Sequence, residues 1–267
     1  MKGMKIVAGL IVSLMLLFLI VGCAPQRVFT ENRALELATE GVQVLEITGG
    51  NGDIGIKGTA SAKQINVSGD ISISGEDTGK IREMISNQLI FTLEKRGNRA
   101  VLHTHFTKSF FLLSMFLDRG RKIDVNIELP PSLKLSVTDN GGNLYIADMK
   151  NDIVVHDEDG VCIVENVSAK SVEITDNAGQ LVLSNVLSDI DILDKSGDIE
   201  LSLCSGKTQI TDTTGDLMLE MCKGPLSIDD STGKITVEDH NGDVTIVARG
   251  RGDVSLQNVT GKIIQNY

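Results

Sequence analysis

Several residue types that mark common functional classes are scarce in this chain. Tryptophan is absent, and Tyr145 and Tyr267 are the only Tyr, Phe or Trp residues after position 116. Enzymes that act on polysaccharides usually need aromatic platforms and paired carboxylates around a cleft. Proline occurs 4 times and glycine 27 times, a balance that suits short strands joined by tight turns.

Positive charge and cysteine are also limited. Lysine and arginine total 25 against 36 acidic residues, which gives a net charge of −11. The basic residues are scattered, so nucleic acid is not an expected partner. Beyond Cys23, the three cysteines Cys162, Cys204 and Cys222 do not form a disulfide framework. The sequence shows no catalytic set, no cofactor motif and no marked metal site.

The first 22 residues have the pattern of an export signal. Lys2 and Lys5 give a basic start, and Ile6–Val21 is apolar. This stretch is short for a membrane span, which needs about 20 apolar residues. We therefore exclude residues 1–22 from the fold as a signal peptide, with an uncleaved anchor helix as the alternative.

The end of that segment, Ile20-Val21-Gly22-Cys23, resembles the lipobox of a bacterial lipoprotein. The resemblance implies cleavage before Cys23 and a diacylglycerol group on its thiol. Cys23 is thus the predicted lipid attachment site, and the membrane is a predicted partner through this lipid. Because Ala24 rather than aspartate follows, the outer membrane is the expected destination in a double-membraned bacterium.

An internal repeat of about 18 residues decides the architecture. Apolar residues occupy the first, third, tenth and twelfth positions, as in Ile190, Ile192, Ile199 and Leu201. Such alternation indicates two short strands with one buried face in each repeat. Repeats start at Leu135, Ile153, Val172, Ile190, Thr208, Leu226 and Val244, and a remnant starts at Ile263.

Stacked at about 4.8 Å, these repeats predict an all-β, single-chain β-solenoid of about seven rungs over residues 132–267. A row of separate antiparallel hairpins is the alternative architecture. Within the solenoids, a flattened two-sheet coil is favoured over a triangular left-handed helix, because the hexapeptide pattern is missing.

Within the repeat, the fifth residue is aspartate and the eighth is glycine in six successive rungs. The aspartate has the parity of buried positions, so we expect the chain to turn there, with the carboxylate accepting backbone N–H bonds. Calcium bound along the column is the alternative, since stacked carboxylates repel one another. The aspartates are Asp139, Asp157, Asp176, Asp194, Asp212 and Asp230.

The chain before residue 132 is less regular. Residues 23–40 are predicted to be a polar tether, with a first strand near Ala34–Leu37. Residues 41–131 are predicted to be an irregular β region. It begins with the broken repeats VLEITGGNGDIGIKG and AKQINVSGDISISG. EDTGKIREMISN indicates a short helix or loop, and two strands flank Arg96-Gly97-Asn98.

The apolar stretch SFFLLSMFL, residues 109–117, is the most conspicuous segment outside the repeat. An open solenoid end needs a cover, so this stretch is predicted to be an apolar cap. The alternative is an exposed loop that contacts a membrane or a partner. The residues concerned are Phe110, Phe111, Leu112, Met115 and Phe116.

Histidines and cysteines give weaker signals. His103 and His105 share one strand face, and zinc would need a third ligand beside them; surface strand residues are the preferred interpretation. His156 and His240 are predicted corner or surface groups. Cys204 and Cys222 occupy the same position in adjacent rungs. They are predicted to belong to a ladder of small buried residues, with a disulfide between them as the alternative.

GGNGDIGIKG, IDVNIELPPSLKLSVTDNGGNLYI and the serial SGDIELSL-type rungs resemble the bacterial putative-adhesin family. The resemblance covers roughly residues 40–267 and implies a β-solenoid in an exported protein or lipoprotein, without catalytic residues. The expected function is a non-enzymatic, lipid-anchored module of the cell envelope that binds, scaffolds or adheres. Its partner would be an envelope protein or a glycan. A polysaccharide-active β-helix enzyme is the alternative.

Overall fold

The computed structural model describes residues 27–75, 78–107, 120–250 and 252–266. Among the described residues, strands take 66% and helix 5%, which confirms the all-β prediction. The helix found in these ranges is too short and too polar to cross a membrane. The predicted signal peptide, Cys23 and the apolar stretch SFFLLSMFL all lie outside the described residues.

Across the described ranges the elements follow the chain in a simple order, and one helix, α1 (Thr78–Gln88), comes after the fourth strand. The strands are β1 (Arg27–Ala38), β2 (Val44–Gly49), β3 (Ile54–Gly58), β4 (Gln64–Gly75), β5 (Leu89–Arg96), β6 (Arg99–Phe106), β7 (Arg121–Leu129), β8 (Lys134–Asp139), β9 (Leu144–Ala147), β10 (Ile153–Asp157), β11 (Gly160–Asp176), β12 (Gly179–Asp194), β13 (Gly197–Ser202), β14 (Thr208–Asp212), β15 (Leu217–Glu220), β16 (Leu226–Asp230), β17 (Ile235–Glu238), β18 (Val244–Ala248), β19 (Val254–Gln257) and β20 (Ile263–Asn266).

From β8 onward the chain winds as a parallel β-solenoid with two strands in each rung. One row of paired strands runs β8, β10, β11, β12, β14, β16, β18 and β20. The second runs β9, β11, β12, β13, β15, β17 and β19. β11 and β12 bend through a corner and contribute to both rows. Apolar side chains of the two rows meet in one continuous buried core, which confirms the predicted rungs and their spacing.

The first rung precedes a long excursion of the chain. β2 and β3 stack directly on β8 and β9, so that Leu45 pairs with Leu135 and Ile54 with Leu144. The intervening chain adds β6 and β7 to the opposite edges of β2 and β3. VLEITGGNGDIGIKG is therefore a true rung, as its register predicted.

Two segments near the N-terminus differ from expectation. Residues 27–38 were expected to be a tether with a first strand near Ala34–Leu37. They form the longer strand β1, which pairs antiparallel with β4 along twelve residues. AKQINVSGDISISG is not a rung with a corner. It is the single strand β4, held between β1 and β7. Its four apolar residues Ile65, Val67, Ile71 and Ile73 keep one parity throughout, and all are buried.

The remaining elements agree with the sequence. The predicted helix or loop is α1, which buries Ile81 and Ile85. The two strands around Arg96-Gly97-Asn98 are β5 and β6, an antiparallel hairpin.

The second corner of each rung contains one residue in the left-handed conformation, with φ between 51° and 60°. Asparagine and aspartate adopt this conformation readily, whereas it costs other L-residues about 1–2 kcal/mol. Two rungs place Leu203 and Met221 there, with the side chains 49% and 46% exposed. The other residues of this column are Asp148, Asn166, Asn185, Asp239 and Asn258.

Replacing Leu203 with asparagine (Leu203→Asn) is expected to raise the free energy of unfolding by about 1 kcal/mol. The strain is relieved, and little buried apolar surface is lost. In a neighbouring rung the same position already carries an amide ladder, where Asn185 Nδ2 donates to Asn166 Oδ1 at 2.9 Å. Urea unfolding would measure the change. The reverse variant Asn185→Leu should be less stable than the wild type. If neither substitution changed the free energy of unfolding, backbone strain at this corner would be contradicted.

Candidate functional site

Six aspartates form an unbroken column inside the first corner of the solenoid. Each pairs in register with the next, from Asp139 through Asp157, Asp176, Asp194 and Asp212 to Asp230. Their exposure is only 0–2%. The column ends at Ala248, which pairs with Asp230. At the other end, a Cβ on Gly49 would lie 2.7 Å from Asp139 Oδ1, so the missing side chain leaves room for that carboxylate.

Burial changes the charge state of the column. Desolvation, assisted by the neighbouring carboxyls, raises the pKa of Asp157 and of Asp212 to about 7. Desolvation raises the pKa of Asp139 and of Asp176 to about 6, and it also raises the pKa of Asp194 and of Asp230. The column is therefore partly protonated near neutral pH, whereas the sequence suggested a row of full charges.

The aspartates also serve the turns that follow them. Asp194 Oδ1 accepts from the Ser196 amide at 3.2 Å, and Asp212 Oδ1 accepts from the Thr214 amide at 3.1 Å. One or both carboxyl oxygens of every aspartate in the column nevertheless lack a hydrogen-bond partner among the described residues. From the sequence, we expected the chain to turn at each aspartate and so to direct the carboxyl away from the core. This expectation is wrong, because each strand extends as far as its aspartate and the side chain is buried.

Calcium along the column was the alternative. Within the described ranges, no group of three or more His, Cys, Asp or Glu side chains is arranged to hold a metal ion. The alignment of the six carboxyl groups follows from the strand register, which places each aspartate next to the aspartate of the following rung.

The other sequence candidates fall in different parts of the fold. His156 is exposed on β10, and His240 is a buried corner residue whose Nε2 lies 3.0 Å from Gly224 O. Cys204 and Cys222 are buried free thiols in adjacent rungs. They stand in the ladder of small buried residues at the second corner, and Cys162 is a free thiol of the core.

A second feature, not predicted from the sequence, is a cavity of about 600 Å³. It lies where three adjacent parallel strands, β6, β2 and β8, reach their carboxyl ends. Its volume falls in the range of small-molecule sites. The described residues that line it are Thr48, Gly50, Asn51, His105, Phe106, Thr107 and Asn140.

The cavity exists because β6 continues past the end of β2. Gly49 pairs with Thr104, and His105 and Phe106 extend beyond this pair. A Cβ on Gly50 would lie 3.0 Å from the His105 Cβ, so glycine lets the two backbones approach closely. From the third strand end, Asn140 Nδ2 donates to Gly49 O.

The side chains around the cavity are held by a local network. His103 and His105 lie on the same face of β6, with ring centroids 6.1 Å apart. Burial and the neighbouring His103 lower the pKa of His105, which keeps its imidazole neutral at pH 7. The Arg121 guanidinium lies 5.4 Å from the centroid of the Phe106 ring. Arg121 Nη1 also donates to Gln88 Oε1 at 2.9 Å, which ties the ring to the end of α1.

One sequence signal pointed at this corner. Gly49 stands where the regular rungs have aspartate, so the corner after β2 differs from all those below it. The cavity itself could not be inferred, because it depends on β6 pairing beside β2 after a long excursion.

The Toastrack DUF4097 family model matches residues 66–265, about three-quarters of the chain. Because the match covers most of the chain, the protein belongs to this family. This membership confirms the predicted putative-adhesin β-solenoid family.

Solved structures of similar proteins have low sequence identity. A putative adhesin from Parabacteroides distasonis is 12% identical with a TM-score of 0.43, over 91% of this chain and 98% of the other. A putative cell adhesion protein from Clostridium sporogenes is 12% identical with a TM-score of 0.36, over 87% and 100%. A putative lipid binding protein from Parabacteroides distasonis is 14% identical with a TM-score of 0.38, over 89% and 97%. No curated protein matches the chain.

Proposed function

We propose that this protein is a non-enzymatic, lipid-anchored module of the cell envelope that binds a ligand at the cavity-bearing end of its solenoid. The cavity between the ends of β6, β2 and β8 carries this proposal. It is concave and of ligand size, and a rigid stack of rungs supports it. The lipid on Cys23 would attach the chain to the membrane, with the outer membrane as its location in a double-membraned bacterium.

The chemistry of the lining supports binding rather than catalysis. The described lining offers amides, hydroxyls, one imidazole and one aromatic ring. Glycoside hydrolysis requires a pair of carboxyl groups flanking the scissile bond, and the buried aspartates of the column are enclosed by the strands. The described lining therefore offers a ligand hydrogen-bonding groups, and no carboxyl pair occurs among these residues.

Cys23→Ser is expected to abolish incorporation of a radiolabelled fatty acid into the protein and to release it from the membrane fraction. The thiol is the proposed attachment atom, and serine does not replace it in thioether formation. The matched control is Cys222→Ser, in which a buried corner thiol is changed, and this variant should be labelled normally. Labelling that persists in Cys23→Ser would refute the anchor.

The binding function has a separate readout in the same experiment. The full-length wild-type chain should co-sediment with envelope fragments from which lipid has been extracted. If only lipid-containing fragments retain the protein, it is anchored but does not bind an envelope component.

A further inference from the structure

The lining of the cavity points to the class of ligand. It combines several neutral hydrogen-bonding groups with one aromatic ring, and no charged side chain occurs among its described residues. These described groups are neutral, so they would compensate the lost hydration of an ionic ligand poorly. A neutral ligand with many hydroxyl groups could pair them with the amides of Asn51 and Asn140 and the hydroxyls of Thr48 and Thr107.

His105 adds a group that can both donate and accept. Its lowered pKa keeps the ring neutral, and a neutral imidazole carries one N–H donor and one acceptor nitrogen. The Nδ1 of His105 is buried and has no hydrogen-bond partner in the described part of the chain, so we assign the ligand contact to Nε2, the other nitrogen of this lining side chain. A hydroxyl group can satisfy either tautomer, because it both donates and accepts.

Phe106 supplies the apolar part of the site. Its ring lines the cavity, and its position is fixed by the Arg121 guanidinium. Ligand sites commonly join aromatic surface to a few placed polar groups. A sugar ring has this dual character, since its C–H face is apolar and its rim carries hydroxyls.

From these observations we infer that the cavity binds a neutral saccharide. The inference rests on the proposed binding function and specifies its ligand. Asn51, after β2, and Asn140, after the neighbouring strand β8, hold hydroxyls or acetamido groups of the sugar. His105 on β6 pairs with another hydroxyl, and Phe106 packs against a sugar face.

The test uses the full-length chain in a detergent without a sugar headgroup. Calorimetric titration with triacetylchitotriose and with maltotriose, both neutral, should detect saturable binding of at least one of them. Trigalacturonate, which is anionic, and the glucosamine trimer, which is cationic, should bind at least about tenfold more weakly.

Two pairs of variants locate the binding. His105→Ala should weaken it by about tenfold, whereas His156→Ala, on the exposed face of β10, should not. Asn140→Ala should weaken it similarly, whereas Asn177→Ala, at the same position of a regular rung, should not. Circular dichroism verifies the fold of each, and Asn51→Ala replaces Asn140→Ala if the latter does not fold.

Three results would overturn the inference. In the first, the folded wild type binds no neutral trisaccharide. In the second, the cavity variants bind as tightly as their controls. In the third, a charged trisaccharide binds more tightly than a neutral one. If the wild type still sediments with lipid-extracted envelope fragments in any of these cases, the saccharide assignment fails while the proposed function stands.

Discussion

Lowering the pH from 7.5 to 4.5 should stabilise the protein by at least about 3 kcal/mol, the equivalent of two pKa units on one carboxyl. The buried aspartate column causes this effect. The folded-state pKa of Asp157 and of Asp212 is about 7, against an ordinary value of 3.8. Between these values the folded protein binds more protons than the unfolded chain. The stabilisation is therefore full below about pH 4 and is lost as the pH rises through about 7.

Asp212→Asn tests the origin of this pH dependence. Asparagine has nearly the same shape and stays neutral, so the variant should match the wild type at low pH and exceed its stability at pH 7.5. Chemical unfolding at a series of pH values measures both effects. The control is Asp191→Asn on the exposed face of the same strand as Asp194, which should leave the pH profile unchanged.

A rise in stability on going from pH 4.5 to 7.5 would contradict the buried, partly protonated column. Calcium provides a second check at neutral pH. If added calcium raises the melting temperature of the wild type but not that of Asp212→Asn, the column binds cations in place of protons.

Gly215→Ala should destabilise the protein by more than about 4 kcal/mol or prevent its folding. Gly215 follows the aspartate turn with φ +152°, and a Cβ there would lie 1.6 Å from the carbonyl oxygen of Gly197 in the adjacent rung. Two backbone segments would have to separate, and this would break the stacking of the rungs. Expression yield, circular dichroism and urea unfolding measure the loss.

Gly141→Ala is the matched control for this substitution. Gly141 has a comparable φ of +146°, but a Cβ there would meet no atom within 4 Å. The difference between the two variants isolates the clash from the backbone strain. Equal destabilisation would mean that the conformation alone, and not the approach of the next rung, requires glycine.

The regular solenoid could be predicted because its determinants are local. The alternation around Ile190 and Ile192 fixes which side chains face inward, and the 18-residue spacing aligns them with Ile210 and its neighbours. The burial of Asp194 and Asp212 was harder to foresee. Ionised carboxylates avoid apolar cores, and only the structure shows that the strand runs inward up to the turn.

The candidate site depended on contacts that the sequence does not display. Asn51, His105 and Asn140 are far apart in the chain, and none occupies a recurring functional motif. They meet because β6 pairs with β2 while β8 pairs with the other edge of β2. The strand β1 was predicted only near Ala34–Leu37, and its full length was missed for a related reason. Its polar exposed face resembles a tether until β4 is beside it.

The order of the strands has a kinetic consequence. In the regular rungs, paired backbone segments are only 18 residues apart, as with Ile199 and Leu217, so each rung can form on its neighbour. The first rung instead joins Asp53 to Asn143 across 90 residues, and closing such a long loop is slow. We therefore expect the regular rungs to assemble first. The cavity lies between strands on either side of that closure, so a partly folded chain should contain regular rungs without the cavity.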